Sequence, residues 1–367
     1  MKKTLFVLLG VLLVAACAPA PVAPGALMEY SQGYRLTETT YAGDSAIQAR
    51  ALDPESTGWN SLHLTGSLIL ILQNINGPVL GRMDLTTGLV TKLFQADDGA
   101  ILSSALVSPD HRQILLVYSP PATSNKVPVY TSLYLVPVDG SSAPFKIIQS
   151  SHPRDAFFWP VWAPDGKSVY TSHYTLPSAD GTQPGFYDID RVDLQGNVQE
   201  VVRNAEYPVL SRDGSQLAYV SASASTTQNE LQLARSDGSG AHPVLAPGAY
   251  PAVDAHFFTP DGKTLLFSAV NQLPAPAATP TVLDRFFGVQ VAQAHTIPSD
   301  WYTVPADGGE VQRITTLNAT GMYAALAPAG DRMVFISLGG IYLMNLDGSG
   351  LTYLSNLYAT GTVDWVP

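Results

Sequence analysis

Three ionisable residues have types and positions that could bind a cation. Asp254 and His256 are two residues apart in a short apolar segment, so a β-strand would place both side chains on one face. Glu206 lies six residues before a predicted turn, and Asp254 has the same position before the next such turn. Because carboxylate and imidazole groups are metal ligands, these three residues form a weak candidate metal site. The alternative is that they are unspecialised polar residues in a water-filled channel.

Common catalytic motifs are absent from the sequence. It contains no Gly-x-Ser-x-Gly nucleophile elbow, no His-Glu-x-x-His metal helix and no glycine-rich phosphate loop. The 30 acidic residues outnumber the 19 basic ones, and this net charge of −11 argues against a nucleic-acid partner. A single cysteine, Cys17, excludes a disulfide within the chain. We therefore expect no catalytic residue and no cofactor.

Two kinds of turn recur along the chain and predict its elements. A Pro-Asp-Gly turn, or a looser copy of it, joins two apolar runs at five places: residues 108–117, 163–172, 211–220, 259–268 and 327–336. An Asp-Gly turn or a similar one follows a further run at six places: residues 83–88, 138–140, 192–196, 236–238, 306–308 and 346–348. Because both turn types are typical of β-hairpins, the sequence predicts a repeat of short antiparallel strands.

The unequal number of the two turns is explained by a closed ring. The C-terminal residues 362–367 match residues 160–164, which form the strand before a Pro-Asp-Gly turn, whereas the first repeat lacks such a strand. A C-terminal strand that completes the first repeat would remove the exposed sheet edges. We therefore predict an all-β, six-bladed β-propeller over residues 61–367. Seven blades are the alternative, if residues 28–60 supply further strands.

The turn sequences resemble those of the TolB-like β-propeller repeats, with their Trp-Ser-Pro-Asp-Gly-like turn and following apolar strand. Residues 162–166 and 258–262 carry the resemblance best, and it extends over about residues 61–367. The resemblance implies a β-propeller and is weak evidence of function. Some related propellers are lyases that use channel histidines and a metal on acidic sugars. The resemblance therefore adds a metal-assisted enzyme at the channel mouth, acting on an acidic glycan, as an alternative function.

The N-terminal residues indicate export and lipid attachment. Residues 1–16 have a basic start, a short apolar run and small residues before Cys17, as in a secretory signal peptide. Residues 13–17 resemble the bacterial lipoprotein box, which implies that Cys17 is lipidated. Residues 17–27 then form an Ala/Pro-rich tether, and residues 28–60 an arm of uncertain structure. We expect a lipid-anchored monomer on the outer membrane or on the extracytoplasmic face of the cell membrane.

The length of the loops indicates which face of the propeller is functional. All short turns would lie on one face, whereas the long insertions, residues 120–128, 174–185 and 271–300, would lie on the other. Long loops on a rigid scaffold often carry function. The longest insertion contains Phe286 and Phe287 at spacings that allow a short amphipathic helix, which could contact a partner.

The inner strands would line the central channel and present ligand-binding residues at its loop-rich mouth. The candidates are Glu206, Tyr207, Asp254, His256 and Tyr323. The leading hypothesis is a non-enzymatic lipoprotein of the bacterial cell envelope that binds a protein, peptide or glycan on this face. A structural or assembly lipoprotein without a small ligand is a further alternative.

Overall fold

The computed structural model describes residues 62–74, 76–121, 130–148, 155–176, 185–222, 229–270, 298–317, 319–337, 340–355 and 357–367, together with the backbone of 36–42 and 46–51. Regular structure within these ranges consists of β-strands arranged in six sheets. The predicted six-bladed β-propeller is therefore confirmed. None of the described residues belongs to a helix long and apolar enough to cross a membrane.

The strands follow one another outward from the axis in each blade. Blade 1 contains β3 (Ser67–Leu72), β4 (Val79–Asp84), β5 (Leu89–Gln95) and, as its inner strand, β26 (Ala359–Val366). Blade 2 contains β6 (Ile101–Val107), β7 (Gln113–Ser119), β8 (Ser132–Pro137) and β9 (Phe145–Lys146). Blade 3 contains β10 (Asp155–Trp162), β11 (Ser168–Thr175), β12 (Phe186–Asp193) and β13 (Val198–Arg203).

The other three blades have the same order. Blade 4 contains β14 (Ala205–Leu210), β15 (Gln216–Ala222), β16 (Asn229–Arg235) and β17 (His242–Pro243). Blade 5 contains β18 (Val253–Phe258), β19 (Thr264–Val270), β20 (Ser299–Pro305) and β21 (Gln312–Arg313). Blade 6 contains β22 (Tyr323–Leu326), β23 (Arg332–Ser337), β24 (Gly340–Asn345) and β25 (Thr352–Ser355).

The second strand of each blade forms the centre of the apolar core. All six residues of β3 are buried, as are six of the seven residues in each of β7 and β19. These strands are covered on both faces because each blade packs between two neighbours, so they are almost continuously apolar rather than alternating. This packing fixes the inner strands that surround the axis.

The predicted Pro-Asp-Gly turns are present between the first and second strands. In the turn after β14, the Asp213 carboxylate accepts hydrogen bonds from the Ser211 hydroxyl (2.7 Å) and the Ser215 amide (3.0 Å). These bonds lower the pKa of Asp213 to about 2. His111 adopts a left-handed conformation (φ 58°) where most copies of the turn have glycine, which explains why the copy at residues 108–117 is a looser match.

The C-terminal strand closes the ring as predicted. Strand β26 pairs antiparallel with β3, with Trp365 opposite Leu68. It also contacts blade 2, since the Val107 amide donates to the Asp364 carboxylate and the Ala105 amide to the Thr362 hydroxyl, both at 2.8 Å. Blade 1 is therefore built from both ends of the propeller sequence.

Part of the N-terminal arm also belongs to blade 1. Strands β1 (Leu36–Ala42) and β2 (Ala46–Ala51) form a hairpin, and β2 pairs antiparallel with the outer strand β5. These residues extend the first sheet to six strands. They do not form a seventh blade.

The long insertions occupy the expected places in the blades. They connect the second strand to the third in blades 2, 3 and 5, at the end of the ring where the inner strands begin. Most of their residues, including Phe286 and Phe287, lie outside the described residues, as does Cys17.

Candidate functional site

One repeat position places aromatic side chains on the inner strands of three blades. It lies five residues before the position of the turn proline, and Trp159, Tyr207 and Tyr323 occupy it in blades 3, 4 and 6. The rings of Trp159 and Tyr207 stack with their centroids 3.8 Å apart. Trp159 also forms a side-chain hydrogen bond with Tyr323, whose blade lies on the opposite side of the ring. These aromatic residues therefore meet across the channel axis.

Two of these residues have an unusual backbone conformation. Trp159 (φ 45°) and Tyr207 (φ 56°) are in the left-handed region, and each lies where the inner strand shifts register against the second strand. Proline follows both residues, and the position before proline normally favours an extended conformation. A left-handed conformation of a bulky residue costs roughly 1–2 kcal/mol. Such strain is typical of functional sites.

Neighbouring strands hold the strained segments in place. The Thr171 hydroxyl donates to the carbonyl of Phe158 (2.9 Å), and the Ser172 hydroxyl accepts from the amide of Tyr207 (2.9 Å). Thr171 and Ser172 are completely buried in β11. The second hydrogen bond crosses from blade 3 to blade 4, so packing between blades maintains the position of the Tyr207 ring.

The stacked pair belongs to a larger group of rings, which we call the aromatic cluster and which comprises Phe158, Trp159, Tyr174, Tyr187 and Tyr207. Tyr174 and Tyr187 stack at 4.4 Å, and the centroid of Tyr187 is 6.1 Å from that of Trp159. Tyr207 is buried, whereas the other four are partly exposed. The cluster lies where β10 and β12 begin and β11 ends, which is the loop-rich end of blade 3.

Two buried acids lie beside the aromatic cluster. Glu206 and Asp254 are on neighbouring inner strands and are 1% and 2% exposed. Burial, together with the negative charge of Asp254, raises the pKa of Glu206 to about 8. Burial also raises the pKa of Tyr207 far above its ordinary value, with smaller contributions from both carboxylates. Near neutral pH, Glu206 is therefore largely protonated.

The structure brings most of the predicted ligand-binding residues together. Glu206, Tyr207, Asp254 and Tyr323 interact electrostatically at the channel. His256 is buried on the same strand as Asp254, and its Nδ1 lies 3.1 Å from the Asp254 carbonyl. Burial lowers the pKa of His256, which favours the neutral ring.

The candidate metal site from the sequence is not present as a close set of ligands. In the part of the chain that the structure describes, no three His, Cys, Asp or Glu side chains are grouped so that they could hold a metal ion. Regular alternation would place Asp254 and His256 on one face, but β18 shifts register between Val253 and His256. This irregularity breaks the alternation on which the prediction depended.

The partly exposed members of the aromatic cluster were missed as binding residues. None of Phe158, Trp159, Tyr174 and Tyr187 was among the predicted ligand-binding residues. Two sequence features could have indicated them. An aromatic residue precedes Pro-Val in both 159–161 and 207–209, and Tyr187 begins a segment in which every second residue is an aspartate. Neither feature reveals the left-handed backbone that brings the rings together.

The buried carboxyl of Glu206 predicts a specific dependence of stability on pH. Its ordinary pKa is 4.5 and its pKa in the folded chain is about 8, so between these values the folded chain keeps a proton that the unfolded chain has released. The free energy of unfolding should therefore fall as pH rises through this window, by up to about 5 kcal/mol from this group. Glu206→Gln should remove this contribution, as measured by urea unfolding at several pH values.

A second variant provides the control for this measurement. Glu310 is an exposed carboxylate, so Glu310→Gln should keep the pH dependence of the parent chain. If the curves of the parent and of Glu206→Gln remain parallel from pH 4.5 to 8, then Glu206 does not keep its proton in the folded state.

Comparison with known proteins identifies the fold. No protein-family model matches the sequence, and no match was found among curated proteins. Among solved structures, TolB from Acinetobacter baumannii is similar with a TM-score of 0.55 and 16% identity, over 82% of this chain and 67% of that one. A structure assigned to TolB from Agrobacterium tumefaciens has a TM-score of 0.53 and 16% identity, over 83% and 100% of the two chains.

An enzyme structure has a similar degree of likeness. An oligogalacturonate lyase in complex with manganese has a TM-score of 0.50 and 13% identity, over 91% of this chain and 86% of that one. At such low identity the comparisons show the fold alone. The described residues form a TolB-like, six-bladed β-propeller.

Proposed function

We propose that this chain is a non-enzymatic, lipid-anchored binding protein of the bacterial cell envelope, and that it binds a protein or peptide at the loop-rich end of the propeller. The observation that carries the proposal is the aromatic cluster. Trp and Tyr are enriched among the residues that contribute most to protein interfaces. Here they form a connected group of rings, most of them partly exposed, at the loop-rich end of blade 3.

The rigidity of the aromatic cluster supports a binding role. Its inner rings are held by strained strand segments that are hydrogen-bonded to Thr171 and Ser172. A surface that is already ordered loses little conformational entropy when a partner binds. An arrangement that costs backbone energy and fixes exposed rings is therefore consistent with selection for recognition rather than for stability.

The export and anchoring part of the proposal depends on the N-terminal sequence. The basic and apolar residues of 1–16, followed by Cys17, fit a lipoprotein signal. The acidic chain would be repelled by anionic lipid, so the acyl groups at Cys17 would provide the attachment. The similar TolB structures are of bacterial proteins, which agrees with a bacterial source for this signal.

A metal-assisted lyase is less well supported. The fold is shared with an oligogalacturonate lyase that was solved with manganese. In this chain, however, the described residues provide no group of three suitable metal ligands. The aromatic rings also bridge the channel close to Glu206 and Asp254, and the net charge of −11 would disfavour an acidic sugar.

The proposed binding surface can be tested by site-specific photo-crosslinking. A photoreactive residue in place of Tyr187 lies at the edge of the aromatic cluster, whereas one in place of Leu351 is exposed at the opposite, turn-rich end. We expect a defined crosslinked species in intact cells from position 187 and none from position 351. Trp159→Ala should reduce its yield at least about tenfold, because a central aromatic contact is lost.

Two further results complete this test. Protease treatment of the crosslinked species would distinguish a protein partner from a glycan, because a protease digests only the protein. Digestion of this chain itself must be subtracted from the result. Equal crosslinking from positions 187 and 351, or an unchanged yield in Trp159→Ala, would contradict the assignment of the aromatic cluster as the binding surface. The melting temperature of Trp159→Ala should be measured to confirm that the variant is folded.

Membrane attachment is tested by Cys17→Ala. Without the cysteine no acyl chain can be attached, so the protein should move from the membrane fraction to the soluble envelope or medium fraction. Cell fractionation followed by immunodetection measures this change. Continued membrane attachment of Cys17→Ala would contradict the lipid anchor.

A further inference from the structure

Blade 3 has a charged pair where the other blades have none. His173 on β11 and Asp190 on β12 are close, with His173 Nδ1 2.6 Å from the Asp190 carboxylate. The pairing registers identify the residues equivalent to Asp190 in the other blades as Gly81, Tyr134, Gln232, Tyr302 and Tyr342. Those equivalent to His173 are Leu72, Tyr118, Ser221, Ala269 and Ser337. The repeat therefore provides five internal comparisons, and none has a carboxylate paired with a histidine.

The substitution of tyrosine by aspartate explains a cleft in blade 3. In blades 2, 5 and 6 the equivalent tyrosine packs against a neighbouring ring, as Tyr302 does on Phe267 at 5.4 Å. Asp190 is too short to fill this space. A cleft of ≈ 520 Å³ lies here instead, with His173, Asp188, Asp190 and Glu200 in its walls. This volume is in the range of small-molecule sites.

The polar groups of the cleft are held rigidly. His173 stacks on Phe157 at 4.6 Å, and its Nε2 lies 3.5 Å from Asp155. The side chains of Asp190 and Asp155 are only 5% and 13% exposed. Asp188 accepts a hydrogen bond from the Asn204 amide at 3.0 Å. The carboxylates are therefore fixed before any ligand binds.

Negative charge is in excess in and around the cleft. Asp155, Asp188, Asp190 and Glu200 contribute four carboxylates, whereas His173 and Arg203 are the positive partners. Arg203 is already paired with Glu200 at 2.7 Å. Burial raises the pKa of Asp188, and the negative charges of Glu200 and Asp190 raise it further. A bound cation would relieve this repulsion.

The rim of the cleft is apolar. Phe186 and Val198 line it and are 42% and 46% exposed, whereas most of the apolar side chains that the structure describes are buried. An apolar rim above a negatively charged base suits a ligand that has an aliphatic chain and a cationic end. An anion would find only His173, which Asp190 and Asp155 already engage, and Arg203, which Glu200 already engages.

We propose that this cleft in blade 3 is a binding site for an alkylammonium group, with the ammonium at Asp188 and Asp190 and the aliphatic chain against Phe186 and Val198. The site is separate from the aromatic cluster. Tyr174 pairs with Tyr187, and the next pair along the same strands is His173 with Asp188, so the two sets of side chains lie on opposite faces of the blade. The inference does not depend on the proposed function.

Titration calorimetry with the full chain in detergent tests this site. The probes are 1,5-diaminopentane and 1,5-pentanediol, which have the same chain length but differ in charge. We expect the diamine to bind and the diol not to bind. Asp190→Asn should weaken diamine binding at least about tenfold, because a charged hydrogen-bond acceptor is lost. Its amide oxygen can still accept from His173.

Two more variants test whether diamine binding depends on the carboxylates of the cleft rather than on the negative charge of the whole chain. Glu200 is on the surface with its side chain 47% exposed, so Glu200→Gln should fold normally and should also weaken diamine binding. Glu310→Gln removes an exposed carboxylate elsewhere and should leave binding unchanged. In the parent chain, the diamine should also shift the ring NMR signals of His173, which can be assigned by comparison with His173→Gln.

The source of the alkylammonium group can be distinguished with a third probe. Nα-acetyl-lysine amide represents a lysine side chain in a peptide, whereas the diamine represents a free amine. Tighter binding of one or the other would identify the source, and both results support the site. The proposal is overturned if the diamine does not bind at about 10 mM, if the diol binds equally well, or if Asp190→Asn and Glu200→Gln bind like the parent chain.

Discussion

The pairing of β26 with β3 is the interaction on which the rest of the structure depends. It joins the C-terminal strand to the first blade, and its hydrogen bonds to Ala105 and Val107 connect blade 1 to blade 2. A closed ring fixes the distance between opposite blades. Trp159 of blade 3 can therefore reach Tyr323 of blade 6, and the aromatic rings bridge the channel. The same closure gives β3 the inner strand that the first repeat lacks, so the inner edge of β3 is paired.

Within this ring, individual blades have departed from the repeat at positions that matter for recognition. Trp159 and Tyr207 adopt a strained backbone that the repeat does not require, because Ser104, Ala255 and Tyr323 at this position in blades 2, 5 and 6 are not left-handed. Asp190 likewise replaces a residue that packs as tyrosine in three other blades. The left-handed backbone at Trp159 and Tyr207 costs conformational energy, and Asp190 lacks the ring packing of the equivalent tyrosines. The first change places aromatic rings at the channel, and the second places a carboxylate in the cleft. Such departures are typical of binding sites on a repeat scaffold.

Much of the fold could be predicted from the sequence, because turns and strands are local features. The Pro-Asp-Gly turns located the hairpins, and the match between residues 362–367 and 160–164 predicted the closing strand. The candidate site was harder to predict. Glu206, Tyr207, Asp254 and Tyr323 were identified from their repeat positions, but strict alternation along a strand could not reveal the register shifts in β10, β14 and β18. The contribution of Trp159 and the pair of His173 with Asp190 depend on contacts between strands and blades, which no local pattern contains.

Removal of residues 361–367 tests the central role of ring closure most directly. The deleted residues include Val363, Trp365 and Val366, which are buried against β3 and its neighbours. Urea unfolding of the truncated and full chains, followed by tryptophan fluorescence and circular dichroism, would compare their stabilities. We predict that the truncated chain loses its cooperative transition, because blade 1 lacks its inner strand and the ring is open. A truncated chain that unfolds cooperatively with the same midpoint as the full chain would contradict this account.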